Sequence, residues 1–253
     1  MLLIQTAYWW RFYELYFGST SLVYSAPTPI AGFKNLAFIL YNHTSPYLGA
    51  LFIGAVVILC LLSLLLKKVY FIFNFMLWFL VVNIHNKIYP TLTGGNFLLN
   101  QFLLFNCFLS FHFESERGFM PSLKTALHNF SSLAIMLQIC VAYFLSALAK
   151  LGDSSWLHGD AIAQVAMADH FSLNTSLAYH GSFAPFYVVL NYLILSYQLF
   201  FPVLVWIKPL KKPFLIFGML MHLYISLVMG LLMFGIIMIL GYIYFWPMKK
   251  PLS

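Results

Sequence analysis

Residues 46–66 read PYLGALFIGAVVILCLLSLLL, and Lys67 and Lys68 follow at once. A membrane-crossing helix needs roughly 20 mainly apolar residues. This run supplies them without a single charge, and the lysine pair closes it at a polar boundary. The stretch therefore predicts a transmembrane helix, and the rest of the chain follows from asking how often the pattern recurs.

On the C-terminal side, residues 69–86 form a second apolar run, ended by Lys87 and a turn at Pro90. A third, 95–113, is opened by Gly94-Gly95. Further runs cover 126–149, ended by Lys150, and 183–207, ended by Lys208, Lys211 and Lys212. Residues 213–246 are 34 residues of apolar sequence, long for one crossing and short for two. They predict one long helix or a span with an interfacial turn. On the N-terminal side, residues 7–25 give a less hydrophobic helix carrying Arg11 and Glu14. Residues 33–42 are too short to span. The sum predicts an all-α, polytopic integral membrane bundle of about seven transmembrane helices with short interfacial helices, in one domain over 1–253.

Composition points the same way. Of 253 residues, 62% are hydrophobic and 8% charged, against about 25% charged in an ordinary soluble domain. So little polar surface cannot cover a fold in water, whereas lipid tails solvate apolar surface directly. The 27 Phe and 16 Tyr suit lipid-facing helices with aromatic belts. The net charge of +7 comes from 13 Lys and Arg scattered singly or in pairs. That distribution fits topology determinants and lipid headgroups rather than a nucleic-acid partner. Cys60, Cys107 and Cys140 lie singly in apolar runs, as small hydrophobes do. The first residues lack the basic segment and clean apolar core of a cleavable signal.

The lysines also bear on orientation. Lys67, Lys68, Arg117, Lys124, Lys208, Lys211 and Lys212 fall on one side of the predicted bundle. Lys34, Lys87, Lys150, Lys249 and Lys250 fall on the other. The positive-inside rule then puts the 151–182 segment outside. That segment is the longest polar stretch, with Asp153, His158, Asp160, Asp169, His170 and His180, and predicts a short amphipathic helix near 160–169.

Ionisable groups at membrane depth are costly and are kept where they pair, line a cavity or do chemistry. Lys150 ends the apolar run VAYFLSALA. It reads as a snorkelling lysine or as a base whose charged form is disfavoured by burial. His222 lies deep in MLMHLYISLVMG and reads as a hydrogen bond between helices or as a proton carrier. His180 precedes Gly181 at the start of a span, as an interfacial cap or a site residue. Glu114, Glu116 and Arg117, with His112 just inside, read as a solvated turn. Arg11 and Glu14 read as a pair on one helix face. No phosphate loop, GxSxG or zinc-type spacing occurs in the sequence.

One ordered set of motifs resembles a known family. Residues 141–162, VAYFLSALAKLGDSSWLHGDAI, look like the span ending in Lys-Leu followed by Trp-x-x-Gly of the vitamin K-dependent gamma-carboxylases and the broader horizontally transferred transmembrane (HTTM) group. Here those residues are Lys150, Leu151, Trp156 and Gly159. His180-Gly181, LSYQLFFPVLVW with Pro202, MHLYISLVMGLLMF with His222, and Gly94-Gly95-Asn96 extend the likeness in order along residues 5–246. Ala149 stands where carboxylases carry a second lysine, and the spacing from lysine to tryptophan is one residue longer.

The resemblance implies a pocket near Lys150, His180 and His222, with Trp156, His158 and Gly159 beside the substrate. It implies a reduced quinone, reaching the site through lipid, and a lysine base that starts its oxygenation. A base must be neutral, and a dry membrane site favours the neutral lysine. The carboxylases' large soluble part has no counterpart in these 253 residues, so full glutamate carboxylation is not expected. Two functions follow: quinone- or lipid-linked chemistry with Lys150 as base, or a non-catalytic helical subunit of a larger membrane complex. A transporter lacks the internal repeats and paired broken helices it would need. Short loops fit a bacterial inner membrane, with lipids and other membrane subunits as partners.

Overall fold

The computed structural model describes residues 1–18, 46–66, 71–109, 119–168 and 184–246, and every regular element among them is helical. The chain divides into two compact units, Met1–Ser132 and Leu133–Ser253.

The first unit begins with α1 (Leu2–Arg11) and the single-turn α2 (Tyr13–Phe17). It continues with α3 (Pro46–Leu66), α4 (Phe71–Lys87), a 3-10 turn (Tyr89–Thr91) and α5 (Gly94–Leu109). Helix α1 packs on α3, α3 on α4, and α4 on α5. Trp9, Ile53, Val56, Val81, Ile84 and Leu99 are buried between them. Asn96 fixes the start of α5, where its Oδ1 accepts from the Thr93 backbone N–H at 3.0 Å and from the Thr93 hydroxyl at 2.8 Å. Such a bond satisfies backbone donors that a helix start otherwise leaves open.

Helix α6 (Phe119–Leu151) spans the division, and its residues from Leu133 onward belong to the second unit. There follow α7 (Ser154–His158), α8 (Ala161–Met167), α9 (Ala184–Leu204), α10 (Lys208–Leu227), α11 (Leu232–Gly241) and a 3-10 turn (Tyr242–Phe245). Within this unit α7 and α8 pack on α9, α9 on α10, and α10 on α11. Ile135, Ile139, Phe201, Leu215, Ile237 and Phe245 are almost wholly buried.

Four helices are long and apolar enough to cross a membrane: Tyr47–Leu66, Leu123–Leu151, Ala184–Leu204 and Lys208–Leu227. At most 28% of the residues in their apolar windows are buried within the protein. The remaining apolar surface needs lipid or another apolar cover, which is compatible with an integral membrane protein. The expected count of about seven spans stands at four among the described residues. Helices α4 and α5 have 17 and 16 residues, or roughly 24–26 Å at 1.5 Å each, short of a ~30 Å hydrocarbon core. The run 213–246 divides at Gly230, which takes a left-handed conformation (φ 71°). There the Leu231 N–H returns to the Ile225 carbonyl at 3.2 Å. Expectations for residues 33–42, for 19–25 and for the charged turn at 112–117 lie outside the described residues.

Candidate functional site

In an apolar helix a polar side chain needs a hydrogen-bond partner within the protein, on its own helix or on another. The second unit meets that demand with a chain of three phenols and one imidazole. Tyr143 stands on the buried face of α6, Tyr197 on α9, His222 on α10, and Tyr242 in the 3-10 turn after α11. All four are buried. The Tyr143 hydroxyl bonds His222 Nε2 at 2.6 Å and also bonds the Tyr242 hydroxyl. Tyr242 in turn meets the Tyr197 hydroxyl at 3.1 Å, and the Phe214 carbonyl, also at 3.1 Å from Tyr197 Oη, is a second acceptor for that one hydrogen.

Proton positions follow from what each group can do. A phenol is the better donor and a neutral imidazole nitrogen the better acceptor, so Tyr143 is assigned as donor to Nε2. The ring hydrogen of His222 then sits on Nδ1, which is buried and has no hydrogen-bond partner among the described residues. Phe201 packs between Tyr143 (4.4 Å between ring centroids) and Tyr242 (5.9 Å). Phe234 meets the His222 ring edge-on at 5.6 Å. These rings keep water out of the chain of hydroxyls and fix its geometry.

Gly218 on α10 permits the meeting of the hydroxyls. A Cβ there would collide with the Tyr197 and Tyr242 hydroxyls and lie 2.8 Å from Tyr242 Cζ. Gly235 on α11 is tight in the same way against Ser226 Oγ and the His222 carbonyl. Two glycines thus set how closely α10 approaches its neighbours around His222.

Tyr197 also lines an open groove of about 490 Å³ between α9 and α10. Tyr192, Leu193, Ser196 and Phe200 of α9 and Phe214 and Phe217 of α10 complete it. Mostly apolar clefts of a few hundred Å³ with few polar groups are the ordinary form of small-molecule sites.

Lys150 sits two turns along α6 from Tyr143, about 20° around the helix and therefore on much the same face. It is half-buried. Its Nζ donates to the Ser146 hydroxyl at 2.7 Å and lies 4.9 Å from the centre of the Trp156 ring. Asp153 is close in sequence, but its carboxylate accepts from the Ser155 N–H at 2.8 Å and caps α7. No carboxylate among the described residues pairs with Lys150.

Helix α7 holds Trp156 in place. Its carbonyls are tied to α9, where Asn191 Nδ2 donates to the Trp156 carbonyl at 2.9 Å and Tyr192 Oη to the Leu157 carbonyl at 2.8 Å. Gly159 ends α7 in the left-handed region (φ 89°), and the Asp160 N–H returns to the Ser155 carbonyl at 2.9 Å. This is the cap that only glycine forms cheaply.

The first unit holds a second buried imidazole. His85 of α4 is fully buried; its Nδ1 donates to Asn100 Oδ1 at 2.7 Å. Its Nε2 accepts from Gln5 Nε2 at 2.9 Å, with Asn96 Nδ2 at 3.4 Å. The edge of Trp9 closes the ring off at 5.6 Å between centroids. With an acceptor on one nitrogen and amide donors on the other, the network holds a neutral imidazole and binds α1, α4 and α5 together.

Of the residues expected at the site, Lys150 and Trp156 meet directly. Gly159 shapes the turn behind Trp156. His222 lies in the tyrosine network. His158 is exposed, its Nδ1 on the Ser154 carbonyl at 2.7 Å. His180 lies outside the described residues. Sequence reasoning passed over Tyr143, Tyr197, Tyr242, His85 and Gln5. For His85 a signal existed, an ionisable group inside an apolar run. For three particular tyrosines among 16 there was none. Among the described residues no three His, Cys, Asp or Glu side chains gather as for a metal ion. No protein-family model, curated protein or solved structure matches the chain.

Proposed function

We propose that this chain is an integral membrane protein of the gamma-carboxylase-like HTTM type, in a bacterial inner membrane, acting on a reduced quinone or a similar lipid-soluble ring with Lys150 as base. One observation carries the reading. A half-buried lysine at the end of an apolar helix is held by a hydroxyl and an indole face, with no carboxylate partner among the described residues. A surface lysine kept for topology needs no such cradle.

The residues fit the task. Ser146 and the Trp156 ring hold the Nζ in one place, and the Asn191 and Tyr192 bonds to α7 hold the ring. The indole stabilises the ammonium by roughly 0.5–2 kcal/mol, while exclusion of water favours the neutral amine. A substrate ring that displaced the indole would remove the first effect and strengthen the second. Lys150 would then accept a hydroxyl proton. A bound quinol gives up two hydroxyl protons, the first to Lys150, and two electrons to dioxygen, and the products are the quinone and hydrogen peroxide.

The test is dioxygen-dependent oxidation of reduced menadione by the purified chain in proteoliposomes. Lys150→Ala should abolish it while membrane accumulation stays normal, and Lys150→Arg, always charged, should not restore it. Equal rates in wild type and Lys150→Ala would leave a non-catalytic subunit of a larger membrane complex as the better reading.

A further inference from the structure

The α9–α10 groove and the buried tyrosine chain meet at one residue. Tyr197 lines the groove, and its hydroxyl enters the network that ends on His222. Four aromatic rings besides Tyr197 line the groove, those of Tyr192, Phe200, Phe214 and Phe217. Such walls suit a flat aromatic ligand, and the volume of about 490 Å³ suits one or two fused rings.

The hydroxyls offer more than adhesion between helices. Tyr197 has one hydrogen and two acceptors in reach, the Phe214 carbonyl and the Tyr242 oxygen, both at 3.1 Å. With the hydrogen on Phe214 the chain is interrupted. With it on Tyr242, every hydroxyl points the same way: Tyr197 to Tyr242, Tyr242 to Tyr143, Tyr143 to His222 Nε2. Inter-helix adhesion would be served by one pair, whereas the second placement makes a donor chain ending on a base. Among the described residues, the titratable groups near it include its own members, Cys140, one turn before Tyr143 on α6, and Tyr192 on the groove wall.

We infer that the α9–α10 groove binds a hydroxyl-bearing aromatic ring with its oxygen at Tyr197, and that Tyr197, Tyr242, Tyr143 and His222 relay the ring's proton inward. The inference deepens the reading above and rests on its claim that the chain takes a lipid-soluble ring. The step balances without redox change. The ligand O–H bond breaks and its proton joins Tyr197. Tyr197, Tyr242 and Tyr143 each pass on the hydrogen they held, and an N–H bond forms at His222 Nε2. The ligand is left as an oxyanion accepting from Tyr197, and His222 becomes an imidazolium. A preorganised line of donors in a water-excluded site is the arrangement that favours a developing oxyanion.

The experiment uses the full chain in lipid nanodiscs with 2-naphthol, whose anion absorbs apart from the neutral form. A pH titration should find bound naphthol ionising at least about one pH unit below naphthol in protein-free nanodiscs, a tenfold change in the ionisation constant. Tyr197→Phe, Tyr143→Phe and His222→Gln should each return the midpoint to the protein-free value while the probe still binds. Ser196→Trp, which fills the groove, should abolish binding. Each tyrosine change keeps its ring, so any one variant that accumulates carries the test. An unshifted midpoint in wild type, or a shift that survives His222→Gln, overturns the relay. Binding unaffected by Ser196→Trp overturns the groove. None of these results touches the Lys150 reading, which stands or falls on menadiol oxidation alone.

Discussion

Gly218→Ala is the sharpest structural prediction. The new methyl group would overlap the hydroxyls of Tyr197 and Tyr242 and press on Tyr242 Cζ at 2.8 Å. Tyr242 is fully buried and cannot swing aside, and Tyr197, nearly buried, could move only toward the groove and out of the network. Forcing a methylene-sized group into a packed core costs about 1–3 kcal/mol. Driving the two phenols apart also loses their mutual hydrogen bond, worth about 0.6–1.7 kcal/mol between membrane helices. The sum is roughly 2–5 kcal/mol. Denaturant-induced unfolding of the purified chain in mixed micelles, followed by tryptophan fluorescence, reads that loss. The informative comparison is a double-mutant cycle. In a Tyr197→Phe/Tyr242→Phe background both offending oxygens are gone, so the same glycine change should cost about 1 kcal/mol less or better. A cost below about 0.5 kcal/mol in the native background, or the same cost in both, would refute the claim that Gly218 exists to seat the two hydroxyls.

Two further predictions concern other networks. His85→Leu should destabilise the first unit by about 2–4 kcal/mol, because buried Gln5 and half-buried Asn100 would both lose their partner. Adding Gln5→Leu should recover part of the loss, and an unfolding titration of the two variants checks both signs. Gly159→Ala should cost about 1–3 kcal/mol, from the left-handed φ of 89° and a Cβ only 3.0 Å from Val188 Cγ1. Hydrogen exchange should speed up across residues 154–167 while α10 and α11 stay protected; uniform exchange in all three segments would contradict the assigned role of the α7 cap.

Helices long and apolar enough to cross a membrane are written in composition and run length, and those are properties a sequence carries openly. A run such as 46–66 has no polar face, so its helix needs apolar cover all round, and it could be read with both ends nearly right. The cradle at Lys150 was half legible: the lysine and Trp156 could be named, but not that the indole would sit under the ammonium. The division at Gly230 was harder. A glycine inside a 34-residue apolar stretch carries no mark of whether it will take a left-handed turn, since the decision rests on whether α11 gains more by packing on α10 than by continuing it.

The tyrosine network lay beyond the sequence. Tyr143, Tyr197 and Tyr242 are separated by 54 and 45 positions, and each alone looks like any aromatic residue of an apolar helix. Hydropathy reads one helix at a time and responds to a phenol only weakly. Which phenols are buried together, and which reach an imidazole, depends on helix rotation and on the clearance left by Gly218. Residue by residue, the sequence determined that helices must form and that apolar surroundings must cover them. The tertiary structure alone decided which polar groups those helices turn toward one another, because a buried hydrogen bond is a property of two distant positions at once.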